Sequence, residues 1–270
     1  MTGTGNGDQR GIVPRALQLV GAYKNQLESK GWSYHMEVSY IEIYNECIRD
    51  LLRDNDFEDT KHEIKRDLNG GTYISDVTML VVDPNDVAQI DAIIERAAKF
   101  RITAATAMNS TSSRSHAVFT LHLQARHAEQ RVDLRGSLSL VDLAGSERLD
   151  KSGSKGSRLR ETISINKSLS ALVDVFAALA AKQPHIPYRN SKLTFLLQPA
   201  LSGEGKALMI VNISPAQASL HESICSLRFA AHVNQCELGR AKRQVVEVTS
   251  ATSTPASTNT EHAKKLARFR

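Results

Sequence analysis

Cysteine is nearly absent from this sequence. Three residues, Cys47, Cys225 and Cys236, are scattered over 270 positions. They are too few and too far apart for a disulfide framework or a structural zinc site, which leaves reduced thiols in the cytosol or nucleus as the reading. Long apolar runs are absent as well. No stretch reaches the roughly 20 residues that cross a bilayer. The opening MTGTGNGDQRG has neither the charged start nor the apolar centre of a signal peptide. No membrane partner is expected. Aromatic residues make up only 5% of the chain. Acidic charge falls short too, with 29 Asp+Glu against 34 Lys+Arg, a net of +5. That mild excess fits an acidic partner without choosing between nucleic acid, a membrane surface and an acidic protein.

What is present reads as an α/β domain, a mixed central sheet with helices on both faces. Pro14 opens a helix with Leu17, Val20, Tyr23 and Leu27 at helical spacing, and Gly31 follows its end. Residues 34–44 are rich in β-branched and aromatic side chains and read as a strand, and NECIRDLL after them reads as a short helix. Short strands flank the turn at Asn69, Gly70 and Gly71. Asp83-Pro84 starts a helix whose expected buried stripe is Val87, Ile90, Ile94 and Ala97. Two alternating segments then follow, AVFTLHLQARHAE and GSLSLVDLAG. A long helix is predicted over 161–181, and a shorter one, SKLTFLLQ, must stop before Pro199. KALMIVNIS is predicted to be a strand buried on both faces. The last helix is expected to begin at Ser219 with Glu222 completing a capping box and Leu220, Ile224, Leu227 and Ala231 as its buried stripe. The Ser/Thr-rich segment 244–270 reads as a disordered tail with a basic end.

Three motifs carry chemistry. In NSTSSRSH, hydroxyls and the fixed fork of Arg114 could meet a hard cation or a phosphate, although alone this is as readily a polar loop before a strand. In VDLAGSE, Asp142 ends an apolar strand, where open α/β sheets bind ligands. It could hold Mg²⁺ through water. Gly145 lets a backbone N–H approach a terminal phosphate, and Glu147 is a natural bidentate partner for Arg114. The third is HIPYRNSKLTFLLQ. Between Arg148 and Gln198 stand nine basic residues, Lys151, Lys155, Arg158, Lys167, Arg189 and Lys192 among them, opposed by three acidic ones. A solvated face is the usual explanation of such a run, and a surface for an acidic partner the sharper one. Little aromatic interleaving there argues against single-stranded nucleic acid, and no nucleic-acid partner is expected.

Together with SYIEIYNECIRDLL, INKSLSAL and SLRFAAHVNQC, these motifs occur in the order found in the kinesin motor domain, which the chain resembles over roughly residues 11–243. The ending VNQCELGRAKR resembles the C-terminal-motor, or kinesin-14, group. The resemblance implies a partial kinesin motor fold of the P-loop NTPase type over 1–243. It also implies ATP and Mg²⁺ as cofactors and ATP-driven movement on microtubules toward the minus end. It gives Asn109, Ser112, Ser113 and Arg114 to a first nucleotide switch, with Asn109 and Ser113 near nucleotide and Ser113 near Mg²⁺. Asp142, Gly145 and Glu147 go to a second switch. The helix carrying Asn166 and Lys167 becomes a relay lying against tubulin. Lys151, Lys155, Arg158, Lys167, Arg189 and Lys192 are then microtubule contacts. Also implied are a location on cytoplasmic microtubules, with the spindle one candidate site, and dimerisation through a coiled coil this chain does not contain.

Val173, Pro199-Ala200 and GEGKAL depart from the family pattern locally. The larger departure is that no G-x-x-x-x-G-K-[ST] phosphate cradle exists in the 270 residues, since Gly205-Lys206 is followed by Ala207. Two explanations are open, a fragment of an ordinary kinesin and a natural short form. On either, the chain by itself is expected to be inactive as an ATPase. The alternative function is a non-catalytic microtubule-binding subunit paired with an active motor.

Overall fold

A computed structural model describes residues 1–3, 7–53, 61–67, 71–108, 114–145, 157–203, 205–238 and 245–247. Helix α1 (Ile12–Glu28) leads through Gly31, at φ +88°, into the long strand β1 (Trp32–Tyr44). A left-handed backbone at that position is one glycine adopts without steric cost. The strands β2 (Cys47–Asp50), β3 (Ile64–Arg66), β4 (Thr72–Ile74) and β5 (Leu80–Val81) follow. Helix α2 (Val87–Met108) then precedes the paired strands β6 (His116–His127) and β7 (Val132–Asp142). The rest comprises α3 (Ser157–Ala180), α4 (Lys192–Leu196), α5 (Gln198–Leu201), α6 (Leu220–Asn234) and β8 (Val245–Glu247).

The main sheet runs β2-β1-β6-β7-β8, with β5 also on β1, and β3-β4 is a separate hairpin. Every pairing among the described strands is antiparallel. Strand alternation separates two cores. Met36, Val38 and Tyr40 of β1 join Phe119 and Leu121 of β6 against Val13, Leu17, Ile90 and Ala97 of α1 and α2. Ile41 and Ile43, with Val118, face Leu172, Val175 and Phe176 of α3 and Leu193 of α4. Covering both faces is why β1 is buried continuously from Val38 to Tyr44. Each such fully buried aliphatic or phenyl group contributes about 1.5–3 kcal/mol.

Four expectations are corrected. NECIRDLL is not a helix. Asn45 and Glu46 both adopt positive φ, 50° and 58°, closing a two-residue hairpin in which Tyr44 faces Cys47 and β2 returns along β1. The second is the start of α2, which lies at Val87 rather than at Pro84. Asp86 Oδ1 accepts the Gln89 N–H at 3.0 Å as its cap, and Val87 faces outward, 37% exposed.

The third concerns KALMIVNIS. Residues 206–216 form no strand, and Leu208, Ile210 and Ile213 are 87, 62 and 53% exposed. A strand buried on both faces needs neighbours. Beyond Leu134, β7 has a described neighbour only on its β6 side. Fourth, α6 has no side-chain bond at its Ser219 cap, and Leu220 and Leu227 face outward. It packs on α3 through Phe229, whose ring meets Phe176 edge-on at 6.1 Å. A capping box is found instead at Ser191 and Thr194, at the start of α4. Pro199 enters at the second position of α5, consistent with α4 stopping before it. Strand β8 lies within the 244–270 segment read as tail and pairs with the start of β7.

Candidate functional site

The two predicted switch motifs meet at one end of the sheet because β1, β6 and β7 are in register there. Glu42 stands opposite Ala117, and Ala117 opposite Asp142. Arg114 and Ser115 thus enter β6 beside the point where Asp142, Leu143, Ala144 and Gly145 leave β7. Asp142 and Gly145 are both half-buried. Asn109, Ser112, Ser113 and Glu147, with Lys151 and Lys155, lie outside the described residues. The expected Arg114–Glu147 pair therefore has one described partner.

Two buried contacts anchor this end, and the sequence reading assigned neither. Glu42, 1% exposed, accepts a hydrogen bond from the Ser115 hydroxyl at 2.6 Å. Arg101 of α2 and Arg49 of β2 approach the same carboxylate, each at 3.5 Å. A carboxylate out of water persists when cations and donors surround it. The second contact centres on His116, 2% exposed. Its Nδ1 accepts the Ala144 backbone N–H at 3.0 Å, and its Nε2 lies 2.7 Å from Ser168 Oγ on α3. A backbone amide can only donate, so the ring proton sits on Nε2.

Burial holds the His116 pKa down to about 4 from its ordinary 6.5. The unfolded imidazole takes up a proton near pH 6.5 and the folded one only near pH 4. The stability this group contributes is therefore complete above pH 6.5 and lost progressively between 6.5 and 4. The loss amounts to about 3 kcal/mol. Denaturant titrations between pH 7.5 and 4.5 are expected to show this slope in the unaltered chain and to show it flattened in His116→Asn.

The basic residues assemble elsewhere. A cavity of about 500 Å³ is lined by Lys167 of α3, Arg189, Lys192 of α4 and Arg66 of the β3-β4 hairpin, with Glu46 as the acidic member. Arg189 lies over the Phe195 ring, 5.3 Å from its centroid, which fixes the guanidinium direction. Glu46, on the β1-β2 turn, accepts the Lys192 backbone N–H at 2.9 Å through Oε2. Three of the predicted cationic contacts are thus brought together, and Arg66 joins them unforeseen. Arg158 lies in the first turn of α3.

The arrangement suits sensing a phosphate rather than holding one. Gly145 offers an approachable backbone, and Asp142 is a hard oxygen donor of the kind Mg²⁺ takes in small number, keeping water in its remaining positions. Among the described residues no three His, Cys, Asp or Glu side chains cluster as a metal site. Nor do the 270 residues contain a lysine-bearing cradle for phosphates.

The family model of the kinesin motor domain matches residues 1–236. The chain belongs to the kinesin motor-domain family. As a kinesin-family chain it is similar to the kinesin-like protein KIN-14M of Arabidopsis thaliana, 50% identical over 249 residues. That match covers 89% of this chain and 33% of the relative. The chain thus spans about a third of the length of the curated kinesins it matches, of which several are of the kinesin-14 group. Among solved kinesins, one is the C-terminal motor and motor homology domain of Kar3Vik1 fused to a synthetic heterodimeric coiled coil. It superposes with a TM-score of 0.75 at 44% identity, covering 84% of this chain and 58% of the other. Another is a KIF14 dimer in its two-heads-bound state with AMP-PNP on a microtubule, with a TM-score of 0.78 at 36% identity and 92% and 70% coverage. A partial kinesin motor fold is therefore shown for this chain, and the family binds nucleotide with Mg²⁺.

Proposed function

We propose that this chain supplies the nucleotide switches and the microtubule-binding face of an ATP-driven kinesin motor that moves toward the minus end. The observation that carries the reading is the basic cleft. Lys167 belongs to the same helix as Ser168, which bonds to His116, the last residue of the first switch motif. A cationic surface and a phosphate-sensing end thus share one rigid element. Tubulin presents an acidic surface that such a cleft would attract. The microtubule complex of the KIF14 relative supports the choice of partner, and the roughly 50% identity to KIN-14 relatives supports the C-terminal-motor type. Pairing through a coiled coil is part of the proposal, in line with the fused coiled coil of the Kar3Vik1 structure. So is a place on microtubules in the cytoplasm.

In this reading Ser112, Ser113 and Arg114 close on the terminal phosphate from one side and Gly145 and Glu147 from the other. Asn109 and Ser113 lie toward the nucleotide. Ser113 and Asp142 would hold Mg²⁺, largely through water. The metal supplies charge neutralisation of the phosphates when bound. Lys151, Lys155 and Arg158 extend the cationic face ahead of Lys167.

Co-sedimentation with microtubules tests the face. Arg189→Ala combined with Lys192→Ala is expected to weaken binding about fivefold to tenfold at low salt, two lost ion contacts at roughly 0.5–0.7 kcal/mol each. The difference should shrink as salt rises. Unchanged low-salt affinity with an intact fold by circular dichroism would remove these residues from the interface.

A further inference from the structure

We propose that His116 is a positioning residue that links the backbone at Ala144, in the second switch motif, to helix α3 through Ser168. The proposal goes beyond the assignment of the cationic face and stands whether or not that face binds microtubules.

The geometry is that of a two-ended strut. The imidazole is 2% exposed and engages both ring nitrogens in different elements, the Ala144 N–H at 3.0 Å and Ser168 Oγ at 2.7 Å. Ser168 is itself 2% exposed. Turning the ring would break both contacts inside the buried interior, and the preceding residue Ser115 is itself bonded to buried Glu42 at 2.6 Å. His116 also starts β6, opposite Ile43 of β1. Donor direction is settled at both ends. Ala144 gives its amide hydrogen to Nδ1, so Nε2–H donates to the serine oxygen. A shift of the Ala144–Gly145 backbone therefore leaves two alternatives. The ring follows, carrying Ser168 and α3 with it, or a buried donor or acceptor is left unpaired. Ala144 and Ser168 are 24 positions apart in sequence, and each is tied directly to His116. Coupling of this kind is reciprocal. A change at Ser168 must be felt at Ala144 as strongly as the reverse.

Hydrogen–deuterium exchange on the 270-residue chain tests this. Ser168→Ala is expected to speed exchange in the segment Leu143–Gly145 on the order of tenfold. Ser168→Thr, which keeps a hydroxyl, is expected to restore the slow rate. In a His116→Asn background, which keeps an acceptor near the Nδ1 position but cannot reach α3, Ser168→Ala should add nothing further. The ring ¹⁵N shifts of the unaltered chain should report the tautomer protonated on Nε2. Exchange at Leu143–Gly145 that ignores Ser168→Ala would overturn the link. So would an equal Ser168→Ala effect with and without His116, or a ring protonated on Nδ1. Should His116→Asn fail to fold, the alanine and threonine variants at Ser168 still decide the matter.

Discussion

Calorimetric titration of the 270-residue chain with Mg·ATP is expected to give a dissociation constant no tighter than about 1 mM, equivalent to roughly 4 kcal/mol of binding. The reason is positional. Affinity for a nucleoside triphosphate in this architecture comes from a glycine-rich loop whose N–H groups, with a lysine, enclose the β- and γ-phosphates. No such string exists in these residues. In the proposed reading the chain contributes the opposite wall. Asp142 stands at a strand end, Gly145 has an approachable backbone, and Arg114 sits at the entry to β6. In that reading these groups recognise a phosphate already fixed by something else. Because switch contacts discriminate between states rather than supply gross affinity, their presence should raise binding little. A micromolar constant would mean that the chain holds its own phosphate cradle, contrary to this reading.

The second large effect concerns the switch pair. Joined behind the P-loop segment of a kinesin relative, this chain is expected to lose roughly 100-fold or more in microtubule-stimulated kcat on Arg114→Ala or Glu147→Ala. ATP affinity should change little. A guanidinium–carboxylate pair that forms only when both switches close stabilises the reacting state and not the ground state, so its loss falls on kcat. The register that brings Ala117 opposite Asp142 places the described ends of the two motifs side by side. Either variant turning over ATP at the unaltered rate would dissolve the pair. A rise in KM alone would recast it as a binding contact.

Much of this was legible in the residue pattern. Alternation in β1, β6 and β7 gave strands, and the same alternation divides Val38 and Tyr40 from Ile41 and Ile43 into two cores. Other elements deceived for identifiable reasons. Ile48, Leu51 and Leu52 fall at helical spacing, but two left-handed residues at Asn45 and Glu46 turn the chain back as a hairpin. The asparagine was a usable cue. In 206–216 the apolar run correctly signals a wish for burial, but pattern cannot say whether neighbouring strands are there to grant it, and Leu208 is left 87% exposed. In α6 apolar residues encircle the helix, and Phe229 rather than Leu227 finds the partner.

The site divided similarly. Arg114, Asp142 and Gly145 stood in recognisable motifs. Glu42 and Ser115 are 73 positions apart, and His116 and Ser168 are 52 apart. Pairings at that range are products of the tertiary fold. A faint signal existed, since a glutamate inside YIEIY and a histidine at the head of a buried strand both need partners. Among the cationic contacts, Arg66 was missed because the β3-β4 hairpin lies far from the basic run in sequence and joins the cleft only in space.

The most direct measurement is ATP turnover by the P-loop-joined protein with and without microtubules. Stimulation by at least tenfold, about 1.4 kcal/mol off the barrier, is the result expected if this chain carries working switches and a microtubule face. Tight ATP binding and microtubule co-sedimentation with no stimulation of turnover would contradict it, and would make the chain a microtubule-binding subunit without motor chemistry.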